Sequence, residues 1–103
     1  MSSSDKELLT LAAKAAGVGY ADKDGKFIPF VPETWNLLTD DGDALRLAVK
    51  LRIELEFYDG FEEVFATENT IEAISQTEPY KNDPYAATRR AIVRAAAEIG
   101  RTL

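Results

Sequence analysis

The chain contains no cysteine and no histidine. The first absence removes disulfides, thiolate metal sites and thiol nucleophiles. The second removes the commonest general base and metal ligand. Ser-His-Asp and Cys-His catalysis fall with it, as do zinc sites of the usual kinds. Glycine loops that cradle phosphates are missing too: there is no Gly-x-Gly-x-x-Gly and no Gly-Lys-Ser/Thr. No segment approaches the roughly 18 consecutive apolar residues that a transmembrane helix needs. The opening Met-Ser-Ser-Ser-Asp-Lys-Glu lacks the basic start and apolar run of a signal peptide. A cytoplasmic location is expected from this, and the absence of cysteine agrees with it. Positive charge is the scarcer sign, with 12 basic against 18 acidic residues and a net charge of -6. Whole-molecule attraction to phosphates is therefore lacking, although a local basic patch could still bind nucleic acid.

What remains is the material of one small globular domain. The 103 residues are 46% apolar, and a chain of this size buries about 65% of its unfolded surface. Ser4-Asp5-Lys6-Glu7 is a capping box. The apolar run Leu8, Leu9, Leu11, Ala12, Ala15, Ala16 follows at helical spacing and Gly17 is placed to end it, so a helix is expected over 5–16. Val18 to Val31 reads as two short extended pieces around Asp22-Lys23-Asp24-Gly25, with Pro29 and Pro32 limiting any strand to an edge or a loop.

Trp35 to Leu51 joins an aromatic anchor to a dense helix-start signal. Thr39 is the expected cap, with Asp40, Asp41 and Asp43 in the first turn where the helix dipole favours carboxylates. The expected helix runs from about Asp41 to Leu51. Ala44, Leu45, Ala48 and Leu51 form its buried face, widened by Leu47, while Arg46 and Lys50 face water. Trp35 and Leu38 are placed to staple the entering chain to the core. Neither acidic cluster has the spacing of a calcium loop. With Gly42 at the sixth position, Leu37 and Ala48 fall on ligand positions; with Gly25 there, Tyr20 and Val31 do. Capping and turn chemistry explain both clusters, and no metal or other cofactor is expected.

Arg52 to Tyr58 alternates apolar and polar residues, and Asp59-Gly60 signals a two-residue hairpin turn. That turn predicts the pairs Tyr58–Phe61, Leu55–Val64 and Glu54–Phe65. Ile53, Leu55, Phe57, Val64 and Ala66 then share an apolar face. The opposite face carries Tyr58, Phe61 and Phe65 among Glu54, Glu56 and Glu63. Three aromatics on one face imply either a covering layer, supplied by a helix or by the Trp35 loop, or an open surface for a partner. The covered arrangement is the expected one, because it also accounts for three amphipathic helices around one small sheet. Thr70 to Gln76 could supply a third short strand or an irregular crossing, ended by Pro79 and the polar run Lys81-Asn82-Asp83. Asp83-Pro84 starts the last helix, which runs to about Thr102 with Tyr85, Ile92, Ala96, Ile99 and Leu103 as its buried stripe. The alanines of this helix favour helix formation and permit close packing.

Two sets of residues are candidates for binding. Arg90, Arg94 and Arg101 lie close to one line of the last helix, with Arg89 beside them. They could grip phosphates or an acidic protein surface, or simply form a solvated face that complements the helix dipole. No aromatic residue interleaves with them, so a single-strand stacking platform is not supported. The second set is Tyr58, Phe61 and Phe65. The hairpin carboxylates Glu54, Glu56, Glu62 and Glu63 read as edge charges that discourage strand addition, rather than as a catalytic acid and base.

Three stretches carry a resemblance. They are Glu7-Leu8-Leu9-Thr10-Leu11-Ala12-Ala13-Lys14-Ala15-Ala16-Gly17, the segment Trp35-Asn36 with Leu38 to Ala48, and Asp83-Pro84-Tyr85 onward to Gly100. Together they resemble the phage ABA sandwich domain, a family of small phage and prophage proteins. Leu37 stands where family members often have proline, a departure expected to loosen a turn. The resemblance implies an α/β/α sandwich: an α+β fold with a small antiparallel sheet of three to four strands flanked by three helices. It brings no catalytic residues. Two function classes follow. The first is a non-enzymatic phage accessory protein that binds a host or phage protein, with counter-defence as one role and self-association into a homodimer as another use of the aromatic face. The second is a nucleic-acid-associated phage protein using the arginines of the last helix. No membrane partner is expected.

Overall fold

A computed structural model describes residues 4–103, and the reading of the first three residues as part of a leader-free start lies outside them. The chain is an α+β fold with three helices and two small antiparallel sheets. The helices are α1 (Asp5–Ala16), α2 (Asp41–Leu51) and α3 (Pro84–Arg101). A hairpin of β1 (Gly19–Ala21) and β2 (Phe27–Pro29) follows α1, and β3 (Glu54–Tyr58), β4 (Glu63–Thr67) and β5 (Ser75–Pro79) form a meander with β4 in the middle.

Local chemistry accounts for the element ends. Ser4 accepts the Glu7 amide at 3.2 Å to open α1, and Gly17, at φ 73°, closes it. Asp22 Oδ1 accepts the amides of Asp24 and Lys26, both at 2.9 Å, so the first acidic cluster is a side-chain-built turn. Asp83 accepts the Ala86 amide at 3.0 Å to open α3, with Pro84 in its first turn. The cap of α2 is Asp40 rather than Thr39: the Asp40 carboxylate accepts the Asp43 amide at 2.8 Å. A carboxylate offers a stronger acceptor than a hydroxyl, and the residue one place later wins.

The core is built from small residues. Helix α3 lies between the meander on one side and α1 on the other, and it also touches α2. Eight of its residues are buried: Ala87, Ala91, Ile92, Val93, Ala95, Ala96, Ala97 and Gly100. The expected stripe is corrected at both ends, since Tyr85 and Leu103 are exposed. A helix buried on two sides needs small side chains around most of its girth, so the alanines carry the packing. At Gly100 the approach is close enough that an added Cβ would lie 2.1 Å from the Leu11 carbonyl oxygen. The largest fully buried side chains are Leu37, Val64 and Val93. Leu37 thus enters the core, while Trp35 beside it is only half-buried. On α2 the buried face is Asp43, Ala44, Leu47 and Ala48, and Leu45 is exposed.

The hairpin register differs from expectation by two residues. Tyr58 pairs with Glu63, Phe57 with Val64, Glu56 with Phe65 and Leu55 with Ala66. The turn therefore spans four residues, with the Phe61 amide on the Tyr58 carbonyl at 3.0 Å and the Glu62 amide on Asp59 at 3.1 Å. A slip of two, unlike a slip of one, leaves every side chain on its expected face. Val64 and Ala66 are fully buried under α3, on the face shared with Leu55 and Phe57.

Candidate functional site

The face of the meander away from α3 carries Glu54, Glu56, Tyr58, Glu63, Phe65, Thr67, Ser75 and Thr77. The helices gather on the other side, and the Trp35 segment sits against the start of α1 beside Leu9 and Pro29. The expected cover is thus absent from this face among the described residues. Tyr58 and Phe65 meet on it diagonally across the strands, with ring centroids 4.9 Å apart at a 58° tilt. The Tyr58 hydroxyl donates to Glu56 Oε2 at 3.0 Å. That hydrogen bond, with the negative charge behind it, holds the phenol above its ordinary pKa. Phe61 does not join the pair; it projects from the turn, 77% exposed. Two of the three candidate aromatics are brought together, and the third stands at the rim of the same hairpin.

This exposure extends well beyond the hairpin. The chain has five phenylalanines, four tyrosines and one tryptophan, and none of them is buried. Exposed single apolar residues are ordinary, but a domain whose buried hydrophobic residues are all aliphatic, with Trp35 and Tyr80 only packed at the edge of the core, is not.

The arginines of α3 are clips between elements. Arg89 Nε donates to the Leu38 carbonyl at 2.8 Å and its Nη1 to Asp41 at 2.6 Å, holding α3 to the start of α2. Arg90 reaches Asp5 of α1 at 2.8 Å, and its Nε lies 4.0 Å from Glu78 of β5. Arg94 pairs with Glu78 and donates to the Thr77 carbonyl at 3.0 Å. Arg101 lies 3.7 Å from Glu7 and 3.3 Å from Glu98. The basic stripe seen in the sequence is therefore matched with carboxylates from α1, α2, β5 and α3 itself.

Asp43 is the best-organised carboxylate. One oxygen accepts the Asn36 amide at 2.8 Å and the other accepts Arg46 Nη2 at 2.6 Å. The backbone hydrogen bond first, and the guanidinium second, hold its pKa below the usual carboxylate value. It fastens the Trp35–Leu38 segment to α2, and so fixes where Leu37 enters the core. Arg46, which faces water as expected, is its partner.

Two features carry no signal in the sequence. The first is Glu68, only 5% exposed: Thr70 Oγ1 donates to its Oε1 at 2.5 Å, and its Oε2 has no donor among the described residues. The second is a cleft of about 460 Å³ between α2 and β3, floored by α3. Leu45, Leu55, Phe57, Tyr85 and Ile92 form its apolar walls. Tyr80 closes one end, its hydroxyl donating to Asp59 at 2.8 Å; burial, then this bond, raises the phenol's pKa. The cleft arises because α2 and the meander both rest on α3 with a gap left between them, and no helical periodicity encodes that gap. Among the described residues no three acidic side chains converge as a metal site would require, and no helix is long and apolar enough to cross a membrane. Comparison with protein-family models, with curated proteins and with solved structures finds no match to this chain.

Proposed function

We propose that this chain is a non-enzymatic protein-interaction module, the accessory class implied by its resemblance to phage ABA sandwich proteins. The observation that carries the reading is the placement of the aromatic residues, none fully buried and with Tyr58, Phe61 and Phe65 on one open hairpin. Aromatic rings are the side chains that anchor protein interfaces, because they bury much area at small entropic cost. The glutamates around them favour a partner with basic groups. A host or phage protein is the partner class, and counter-defence is a role that fits a small acidic binder. The nucleic-acid reading loses support, since Arg90, Arg94 and Arg101 already engage carboxylates.

The test is affinity capture from bacterial host lysate, with and without nuclease, using wild type beside a Tyr58→Ala/Phe61→Ala double variant. A nuclease-resistant protein retained by wild type and lost by a variant of unchanged thermal stability is the expected result. Recovery of nucleic acid alone overturns the reading and restores the arginine-based one.

A further inference from the structure

We propose that the outer edge of β3 and the cleft beside it accept an extended peptide segment whose side chains alternate between apolar and basic. The inference deepens the reading of the chain as a binding module and assigns it a second surface, a strand edge and cleft that share Glu54 and Glu56 with the Tyr58–Phe65 face.

The argument begins with the two edges of the meander. β5 is polar throughout, Ser-Gln-Thr-Glu-Pro, and ends in Pro79, which cannot donate to an added strand. Its Glu78 is engaged by Arg90 and Arg94. β3, Glu-Leu-Glu-Phe-Tyr, has no proline and no strand beyond it among the described residues. In an antiparallel pair every second residue of an outer strand turns its amide and carbonyl away from its partner, so β3 offers a row of groups that an added strand can satisfy.

Side-chain alternation then sets the chemistry of the guest. On the helix side of the sheet, an added strand places every second side chain in the cleft between β3 and α2. There it meets Leu45, Leu55, Phe57 and Tyr85, of which Leu45, Phe57 and Tyr85 are more than half exposed. Val49, 55% exposed, extends the same apolar wall along α2. On the open side the intervening side chains lie against Glu54 and Glu56, both exposed and without an ion pair among the described residues. Apolar residues toward the helix and lysine or arginine toward the glutamates satisfy both sides at once. A second copy of β3 does not: antiparallel self-pairing sets Glu54 and Glu56 opposite glutamates of the other copy, and like charges directly opposite are destabilising. The glutamates that guard the edge against self-association select a basic strand.

The test uses a fluorescein-labelled (Arg-Val)4 peptide and the full chain, read by fluorescence anisotropy and by amide hydrogen exchange. Saturable binding is expected, with amide exchange in β3 slowed at least tenfold and a (Glu-Val)4 peptide failing to bind. Two alternately N-methylated forms of the basic peptide, one methylated on arginines and one on valines, should separate: one loses binding and the other keeps it, because only one set of amides faces β3. A Glu54→Lys/Glu56→Lys variant, changed only at exposed positions, should reverse the preference toward (Glu-Val)4. Equal binding of both methylated forms, or unchanged exchange in β3, overturns the proposal by showing charge attraction without strand addition. Dimerisation of the free protein through β3, seen by sedimentation together with protected β3 amides, also overturns it. The Tyr58→Ala/Phe61→Ala capture reads the aromatic rings rather than the strand edge, so absence of peptide binding with intact capture rejects the edge site and leaves the interaction module standing.

Discussion

The seam between α1 and α3 and the outer side of the β3–β4 hairpin are made from opposite materials. The seam is alanine and glycine: Ala12, Ala13, Ala95, Ala96 and Ala97 are fully buried, and Gly100 lies against the Leu11 carbonyl with no room for a Cβ. The hairpin's outer side carries Tyr58 and Phe65 among glutamates, with Phe61 exposed at its turn. Small residues hidden and large ones displayed is the reverse of the usual allocation. The lesson is that the packing of α1 on α3 and the proposed binding surface draw on separate residues. The packing comes from close backbone approach around α3; the proposed surface uses rings on the hairpin that are not buried.

The comparison can be broken most severely at its inner side. Leu37→Ala removes one of the few large side chains the core contains and should cost about 3–4 kcal/mol, measured by urea unfolding. A cost below about 1 kcal/mol would show that the segment before α2 is not anchored as described. Gly100→Ala should follow at about 2–3 kcal/mol, because the new methyl forces α1 and α3 apart. In an open helix the same change gains stability from alanine's higher propensity, so a stabilised variant would refute the tight seam.

A smaller effect belongs to the link between Asp43 and the Asn36 amide. The folded pKa is depressed, so the contribution is complete above the unfolded carboxylate value and is lost as the pH falls through the lowered folded value. Thermal unfolding of wild type against Asp43→Asn should therefore show a gap that narrows toward low pH. A constant gap would place the residue's role in shape alone. The smallest expected effect sharpens the comparison from its outer side. Phe61→Ala should change stability by no more than about 0.5 kcal/mol, while weakening partner capture. A large destabilisation would mean that the exposed ring serves the fold after all.

Much of this arrangement was readable from local rules. The capping box at Ser4, the Asp83-Pro84 start and the spacing of α1 specify their helices because each is a short-range hydrogen-bonding decision. The two faces of the hairpin were readable as well, since alternation survives a register shift of two even though the Asp59-Gly60 signal misjudged the turn. What stayed hidden depends on which elements become neighbours. Trp35 looked like the anchor because it is large, yet Leu37 points inward once Asp43 has fastened the segment. Arg90, Arg94 and Arg101 looked like a surface stripe because Asp5, Glu7 and Glu78, their partners from other elements, lie far away in sequence. The Tyr58, Phe61 and Phe65 surface was marked as a candidate, but its openness was decided by all three helices gathering on the opposite side.

The alanine packing around α3 also changes what folding demands of the chain. Ordering a buried leucine or methionine freezes rotamers, whereas a buried alanine has none to freeze. The alanine-lined parts of the interior form with little loss of side-chain freedom and leave little slack. Such an interior resists rearrangement: α1 cannot slide along α3 without driving Leu11 into the Gly100 backbone. The helical half is therefore a fixed base, and on the proposed reading any adjustment to a partner would fall to the turns and rings at the sheet's outer rim.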